Sequence, residues 1–258
     1  MSTIKHIQPE NRGRLASLFV SHRPSFLIDA VLEGHLGSAV ADDEHTPRVA
    51  QLAYADIIVF GGDPSHPVAL ELVKELPVDK GILPVPEEWR ELLFQVHGEN
   101  LLSIERHSFS GQKLDLGHLR SLEKGIPEGY HIRRIDLDLA RVIDADSSLI
   151  SEDHVHNFDS PEDFVERGIG FCVLRGDRIV SGASSYAICD SGIEVQVNTH
   201  TDFRRKGLAT AVSAALLVHC LENGVEAHWD AGNPISVGLA KKLGYIPTGT
   251  YEMLVRIE

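Results

Sequence analysis

The C-terminal third of the chain changes its hydrophobic period in an order that restricts the fold. Residues 170–199, GFCVLRGDRIVSGASSYAICDSGIEVQVNT, contain three β-rich runs that are separated by the turn-forming segments GD and DSG. From Leu208 apolar residues recur at helical spacing as far as the stop at Asn223-Gly224. VEAHWDA then predicts a strand, NPISVGLAKKLG a helix with Asn233 as N-cap, and TYEMLVRI a closing strand. This order predicts an α/β (α+β) domain that begins with an antiparallel meander.

Three cations and a glycine, Arg204 to Gly207, lie between the third strand and the N-terminus of the long helix. Unpaired N–H groups and the helix dipole make such a position a site for anions. Gly207 lets the backbone approach a phosphate, small Ala209 leaves the first turn clear, and the cations favour a pyrophosphate. The alternative is a solvated basic turn without a ligand, but its place at a helix start favours the anion site.

The charge balance limits the classes of partner. The 258 residues include 24 basic and 38 acidic ones, a net charge of −14, and both halves share the acidic excess. We therefore expect neither nucleic acid nor a membrane as partner. The chain shows no signal-peptide pattern, no apolar run of about 18 residues and only widely spaced cysteines. These features predict a cytoplasmic protein without a disulfide framework or a thiolate metal site.

Two segments carry a resemblance to a known family. RRKGLA is similar to the [Q/R]-x-x-G-x-[G/A] acetyl-CoA loop of the GCN5-related N-acetyltransferases (GNAT), and WDAGNPISVGLAKKLGY resembles the segment that follows it in that fold. The longer segment EVQVNTHTDFRRKGLAT, combined with WDAGNPIS…LAKKLGY, is similar to the branch that contains the zwittermicin A resistance acetyltransferase. The resemblance is specific over about residues 165–258. It implies a mixed, mostly antiparallel sheet flanked by helices.

The resemblance also implies acetyl-CoA as co-substrate and no metal. The loop and the first helical turn would bind the coenzyme pyrophosphate, largely through backbone amides: Arg204, Arg205, Lys206, Gly207, Leu208, Ala209 and Thr210. Val195 and Val197 would line the pantetheine arm and the thioester. Asn233 and Ser236 are candidates for polar contacts to that arm. The alternative is that Asn233 is only the N-cap of its helix, and the same ambiguity applies to Ser236.

Catalysis needs a base, because an amine that attacks a thioester must lose a proton. Glu194 is the best candidate, since it lies on the strand beside the expected thioester. Alternation places Glu194, Gln196 and Asn198 on one face of this strand, which makes Asn198 a second catalytic candidate. The alternative is that they form the polar side of a half-covered strand. The family often has a tyrosine acid seven residues after the asparagine, but Ala240 stands there, and we expect Tyr245 to be a packing residue.

His154 and His156 precede a predicted helix start at Ser160-Pro161. We expect an ordinary surface position for this pair, with lining of the acceptor pocket as the alternative. A metal pair is disfavoured because further ligands at zinc-like spacing are missing.

The first half of the chain repeats the predicted order of the second. Its segments are helices at 11–20 and 25–34, strands at 36–42, 48–53 and 56–62, a helix at 67–76, a strand at 81–85, a helix at 86–96 and a strand at 100–109. In place of the basic loop it has GGDPSHP, so we do not expect it to bind pyrophosphate. We predict an N-terminal α/β domain, 1–128, that is a degenerate GNAT-like copy, and a GNAT domain, 129–258. The alternative for the first is an unrelated α/β cap.

The resemblance and these observations together predict an acetyl-CoA-dependent N-acetyltransferase that acts on a small-molecule amine by direct attack on the thioester. The missing tyrosine leaves an alternative, a catalytically impaired acyl-CoA-binding regulatory module. A homodimer is left open.

Overall fold

The computed structural model describes residues 4–22, 26–82, 87–145 and 154–258. The chain forms two compact units. Unit 1 comprises Met1–Arg106 and Thr250–Glu258, and unit 2 comprises His107–Gly249. Two strands contribute residues to both units, β6 (Leu101–Ser110) and β12 (Ile246–Arg256). No helix in the described ranges is long and apolar enough to span a membrane.

The described residues of unit 1 form a sheet, three α-helices and a long 3-10 helix. The helices are the 3-10 helix Pro9–His22, α1 (Phe26–Leu32), α2 (Pro67–Lys74) and α3 (Glu87–His97), with a short 3-10 turn at Gly98–Asn100. The strands are β1 (Lys5–His6), β2 (Ser38–Ala41), β3 (Val49–Tyr54), β4 (Ile57–Gly62) and β5 (Gly81–Ile82). The strand order is β1-β2-β3-β4-β5-β12. In its core the rings of Phe60 and Trp89 stack at 5.0 Å.

Unit 2 holds the segments that suggested the function. Its remaining strands are β7 (His131–Arg134), β8 (Gly170–Arg175), β9 (Arg178–Cys189), β10 (Gly192–Thr199) and β11 (Glu226–Ala231). Its helices are α4 (Leu116–Lys124), α5 (Leu137–Ala145), α6 (Pro161–Arg167), α7 (Leu208–Glu222) and α8 (Pro234–Leu243), with a 3-10 turn at Thr201–Phe203. The strand order is β7-β8-β9-β10-β11-β6. Only the pair β10–β11 is parallel among the pairings described for this unit. The expected mixed, mostly antiparallel sheet is confirmed.

The two units repeat one topology. In each, a meander of antiparallel strands is followed by a helix, a strand parallel to the meander's last strand, a second helix and a closing strand. Thus β5 pairs parallel to β4 as β11 does to β10. The closing strands are exchanged: β6 pairs antiparallel with β11 in unit 2, and β12 pairs antiparallel with β5 in unit 1. The predicted repetition of strand and helix order is therefore observed.

Helix α7 forms the centre of the unit 2 core. Ten of its 15 residues are buried, on all sides of the helix. A helix that is apolar all round must be covered all round. Strands β8, β9, β10 and β11 pack against α7, and so do α4 and α8. This packing fixes the N-terminus of α7, where the basic loop Arg204 to Gly207 ends.

Some elements differ from the sequence-based expectation. Residues 11–20 form part of a 3-10 helix rather than an α-helix, and Asn11 and Gly13 are weak α-helix formers. Helix α4 was not predicted, because Leu119 is the one residue that it buries fully. Part of the strand expected at 81–85, residue 86 of the next helix and residue 25 lie outside the described residues. The domain boundary at 128/129 stays a prediction; the compact units divide between Arg106 and His107.

Candidate active site

The turn before α7 has the backbone geometry of an anion site. Gly207 is the N-cap of α7 and has a φ of +81°, and Arg205 is also left-handed at +61°. Left-handed residues before a helix turn successive N–H groups towards one point, and the first turn adds unpaired N–H groups. Gly207 is exposed, and a Cβ built on it meets nothing within 4 Å. Glycine is therefore favoured here by its φ, and the space in front of the turn is open.

A cluster of cations surrounds Phe203 beside this turn. Lys206 Nζ lies 4.9 Å from the centre of the Phe203 ring, and the guanidinium carbons of Arg178 and Arg175 lie 5.4 and 5.8 Å from it. Arg204 Nε donates a hydrogen bond to the carbonyl of Thr199 at 3.2 Å. The cations that contact the Phe203 ring thus concentrate positive charge next to the helix N-terminus. Sequence reasoning missed Arg175 and Arg178, which flank the predicted turn at Gly176-Asp177.

Strands β10 and β11 separate along β10, before the chain reaches the turn. Their described pairing runs from Gly192 opposite Glu226 to Glu194 opposite His228. Beyond that point β10 continues to Thr199 in register with β9, while Trp229 to Ala231 of β11 pair with β6. Half-buried Val195 and Val197 lie on the stretch of β10 where β11 has departed. An extended ligand with amide groups can pair with such a strand edge.

Glu194 and His228 form an ion pair at the point of separation. Glu194 Oε2 and His228 Nδ1 are 2.6 Å apart, and the two side chains are 15% and 16% exposed. Burial alone would lower the pKa of His228, but the carboxylate of Glu194, with Asp230 and Glu226, raises it to about 9. His228 is therefore an imidazolium at neutral pH. Sequence reasoning found Glu194 and missed His228, which lies 34 residues further along the chain.

The other polar candidates of β10 face neighbours on β9. Gln196 lies opposite Ser184 and Asn198 opposite Gly182. The side chains of Glu194, Gln196 and Asn198 are half-buried, and so are Val195 and Val197, so burial does not distinguish the two faces expected for this strand. Ser181 Oγ donates a hydrogen bond to the backbone carbonyl of Asn198 at 2.9 Å. This bond holds the backbone of Asn198 and assigns no role to its side chain.

The expected surface position is wrong for His154. Its side chain is fully buried, with Nδ1 2.7 Å from Ser184 Oγ and Nε2 without a hydrogen-bond partner among the described residues. Burial lowers the pKa of His154 to about 4, so its imidazole is neutral. The cost of an unpaired ring nitrogen is smaller than that of a buried charge. His156 is exposed, as expected.

Asn233 and Ser236 both have structural partners. Asn233 is the N-cap of α8, and its Oδ1 accepts a hydrogen bond from the backbone N–H of Ser236 at 2.9 Å. Trp229 Nε1 donates to Ser236 Oγ at 3.2 Å. The capping role weighed for Asn233 is therefore observed, and the contact of Trp229 with Ser236 joins β11 to α8.

A tyrosine acid is missing from α8. Residue 240 is a buried alanine, and Tyr245 is 3% exposed with its hydroxyl donating to the carbonyl of Ala227 at 2.9 Å. Burial raises the pKa of Tyr245 well above its ordinary value. Burial likewise raises the pKa of the Cys172 and Cys220 thiols to about 12, so both are protonated and unreactive at neutral pH. Tyr245 is a packing residue, and neither buried cysteine serves as a nucleophile.

The helix that follows an antiparallel meander, the glycine turn at its N-terminus and the separating parallel strands are the arrangement that the resemblance predicted for an acetyltransferase. A sequence model of the GNAT acetyltransferase family matches residues 16–254, and the chain belongs to this family. A curated relative, the uncharacterized N-acetyltransferase YdfB of Bacillus subtilis (strain 168), is 26% identical over 258 residues, 95% of each chain.

Solved structures agree with this assignment. The crystal structure of a GCN5-related N-acetyltransferase-like protein from Streptococcus suis 89/1591 is 32% identical, with a TM-score of 0.85 over 95% of this chain and 98% of that one. A GCN5-related N-acetyltransferase from Kribbella flavida shares the fold at 19% identity, with a TM-score of 0.59 over 95% of each chain. The protein is thus an N-acetyltransferase, of a family that takes its acyl group from acetyl-CoA. The expected branch within the family stays a prediction.

Proposed function

We propose that the protein acetylates a small-molecule amine by direct attack of the amine on the thioester of acetyl-CoA. The observation that carries the proposal is the position of the Glu194 carboxylate. It lies where β10 and β11 separate, on the strand that leads into the left-handed turn at Arg205 and Gly207. One site thus offers an anchor for a pyrophosphate, an edge for an extended arm and a proton acceptor.

The pyrophosphate is proposed to bind the turn and the first residues of α7. Amides of Arg205, Lys206, Gly207, Leu208 and Ala209 would bind it, flanked by Arg204 and Thr210. The cations around Phe203 support this placement, because they concentrate positive charge on a chain with a net charge of −14. Arg175 and Arg178 extend the cationic surface from the β8–β9 hairpin. Charge-assisted hydrogen bonds from arginine to phosphate are among the strongest that side chains make.

The pantetheine arm is proposed to lie along β10. Its amides would pair with the backbone of Val195 and Val197, on the side from which β11 has departed. Asn233 and Ser236, at the start of α8, are proposed to contact the arm in addition to their structural bonds. The thioester would then lie near Glu194.

Glu194 is proposed to take up the proton that the amine loses, and Asn198 to line the acceptor side of the same strand. Attack forms the C–N bond and breaks the C–S bond, and the electron pair leaves with the sulfur. The pathway needs no covalent enzyme intermediate and no metal. The acidic composition favours a cationic acceptor, because net charge steers encounter. From the composition we also infer a cytoplasmic enzyme without a nucleic acid or membrane partner.

The test is a panel of primary amines: polyamines, amino acids, amino sugars and a lysine peptide. Each is incubated with acetyl-CoA, and free thiol and the mass of the acetylated amine are measured together. We expect thiol release that depends on a small amine and equals the acetylated product, and no release with Gly207→Glu. Acetylation of the peptide alone would contradict the proposed acceptor class. Tight acetyl-CoA binding without transfer to any amine would favour the regulatory module that the missing tyrosine suggested.

A further inference from the structure

Acetyl transfer from a thioester to an amine involves two proton movements at one site. The nitrogen loses a proton, and the departing sulfur gains one. The proposed role of Glu194 covers only the first movement, because a carboxylate has no proton to donate. On α8 the residue at the position of the family's tyrosine is Ala240, and the hydroxyl of Tyr245 is occupied by the carbonyl of Ala227. A protein donor for the departing sulfur would therefore lie on another element.

His228 is the donor that the geometry supplies. It stands opposite Glu194 in the last described pair of β10 with β11, at the mouth of the gap between these strands. Its Nδ1 lies 2.6 Å from the Glu194 carboxylate. A carboxylate at Nδ1 holds the Nδ1–H form of the ring, so the proton that the ring exchanges is the one on Nε2.

We propose that His228, held by Glu194, carries the proton from the attacking nitrogen to the departing sulfur of coenzyme A. This inference rests on the function proposed above. It refines the role of Glu194 given above: the proton that the amine loses passes to the His228 ring, and Glu194 orients and charges that ring, so that the two residues form one catalytic unit.

The step balances within the pair. As the C–S bond breaks, Nε2–H of the imidazolium gives its proton to the sulfur, which leaves as the thiol. The new amide nitrogen still carries one proton too many and gives it to the neutral imidazole. The imidazolium is restored, and the sum is amine plus thioester giving amide plus thiol.

The charged neighbours of His228 suit this cycle. The groups that act on it are Glu194 on β10 and Glu226 and Asp230 on β11, and all three are acidic. They favour the imidazolium against burial and bring its pKa to about 9. That value lies close to the reference pKa of a thiol, about 8.5, so a proton can pass from ring to thiolate without a large barrier.

The test compares the wild type with Glu194→Gln, His228→Gln and the double variant, with His131→Gln on exposed strand β7 as control. Glu194→Gln and His228→Gln are each expected to lower kcat/KM at pH 7 on the order of 10²-fold, the scale of general acid–base catalysis. Because the residues act as one unit, the double variant is expected to be about as slow as the slower single variant. A loss of kcat/KM in the double variant equal to the product of the two single losses would overturn the proposal.

The pH profile separates proton transfer from a structural role. Ionisation of the amine cancels in the ratio of wild-type to His228→Gln kcat/KM. This ratio is expected to be on the order of 10² at pH 7 and to fall towards one above pH 9, where His228 loses its proton. A ratio that is near one at pH 7, or that does not change with pH, would overturn the proposal. An inactive wild type would instead count against the proposed function.

A measurement on the wild type alone covers the case in which His228→Gln does not fold. Histidine ring resonances are followed by NMR between pH 6 and 10, together with kcat at saturating substrates. One ring is expected to titrate near pH 9, at the pH where kcat falls. The absence of such a resonance, or a mismatch between the two titrations, would overturn the proposal.

Discussion

The pairing of His228 with Glu194 makes the stability of the protein depend on pH. The pKa of His228 is about 9 in the folded protein, against 6.5 for an unperturbed histidine. A raised folded pKa means that the folded state binds the proton more tightly than the unfolded state. The resulting stabilisation is complete below pH 6.5, declines as the pH rises through about 9 and is absent at higher pH.

The magnitude follows from the two pKa values. A difference of one pKa unit corresponds to about 1.36 kcal/mol. The raised pKa of His228 therefore contributes about 3 kcal/mol to the free energy of unfolding at pH 6. The side chain is 16% exposed, which limits screening of the pair by solvent. This contribution is a substantial part of the roughly 5–15 kcal/mol that keeps a typical protein folded.

Urea denaturation of the wild type and His228→Gln at pH 6 and pH 10 measures the effect. The free energy of unfolding of the wild type minus that of His228→Gln is expected to be about 3 kcal/mol smaller at pH 10 than at pH 6. The control His131→Gln removes an exposed histidine and should show no such change. An equal difference in the free energy of unfolding at both pH values would refute the reasoning, since it would mean that the pair does not raise the pKa of His228.

Two further substitutions test the roles assigned to structural contacts. Tyr245→Phe removes the hydrogen bond to Ala227 and is expected to cost about 1 kcal/mol in urea denaturation, with kcat unchanged; loss of most turnover in a folded variant would make Tyr245 the acid. Asn233→Ala removes the N-cap of α8 and is expected to cost about 1 kcal/mol and to raise the KM for acetyl-CoA; an unchanged KM would leave Asn233 a cap only.

The fold of unit 2 was predictable because its signals are local. Turn pairs separate the strands of the meander, and the apolar run from Leu208 is too long for a strand. The N-cap at Asn233 and the stop at Asn223 mark helix ends that the structure shows at α8 and α7. Helix α4 was not predictable from its apolar pattern because its sequence is mostly polar, although Asp115 caps it and could have marked its start.

The site was predictable only where it is contiguous in sequence. The turn at Gly207 and the first residues of α7 form one motif, and their geometry follows from a glycine before a helix. The partner of Glu194 depends on the register of β10 with β11, which no local pattern records. The same holds for Arg178, which the β8–β9 hairpin brings to Phe203, and for His154, whose burial depends on tertiary packing.

The central claim is that the turn at Gly207 binds the pyrophosphate of acetyl-CoA, and calorimetric titration of Gly207 variants tests it most directly. Gly207→Gln and Gly207→Glu share the strain of a side chain at a φ of +81°, about 1–2 kcal/mol. They differ in one negative charge beside the phosphates. That charge is worth about 1–4 kcal/mol at 4 Å between water-like and surface-like dielectric. We predict that folded Gly207→Glu loses acetyl-CoA binding while Gly207→Gln retains a weakened affinity. Wild-type affinity in folded Gly207→Glu would contradict the account.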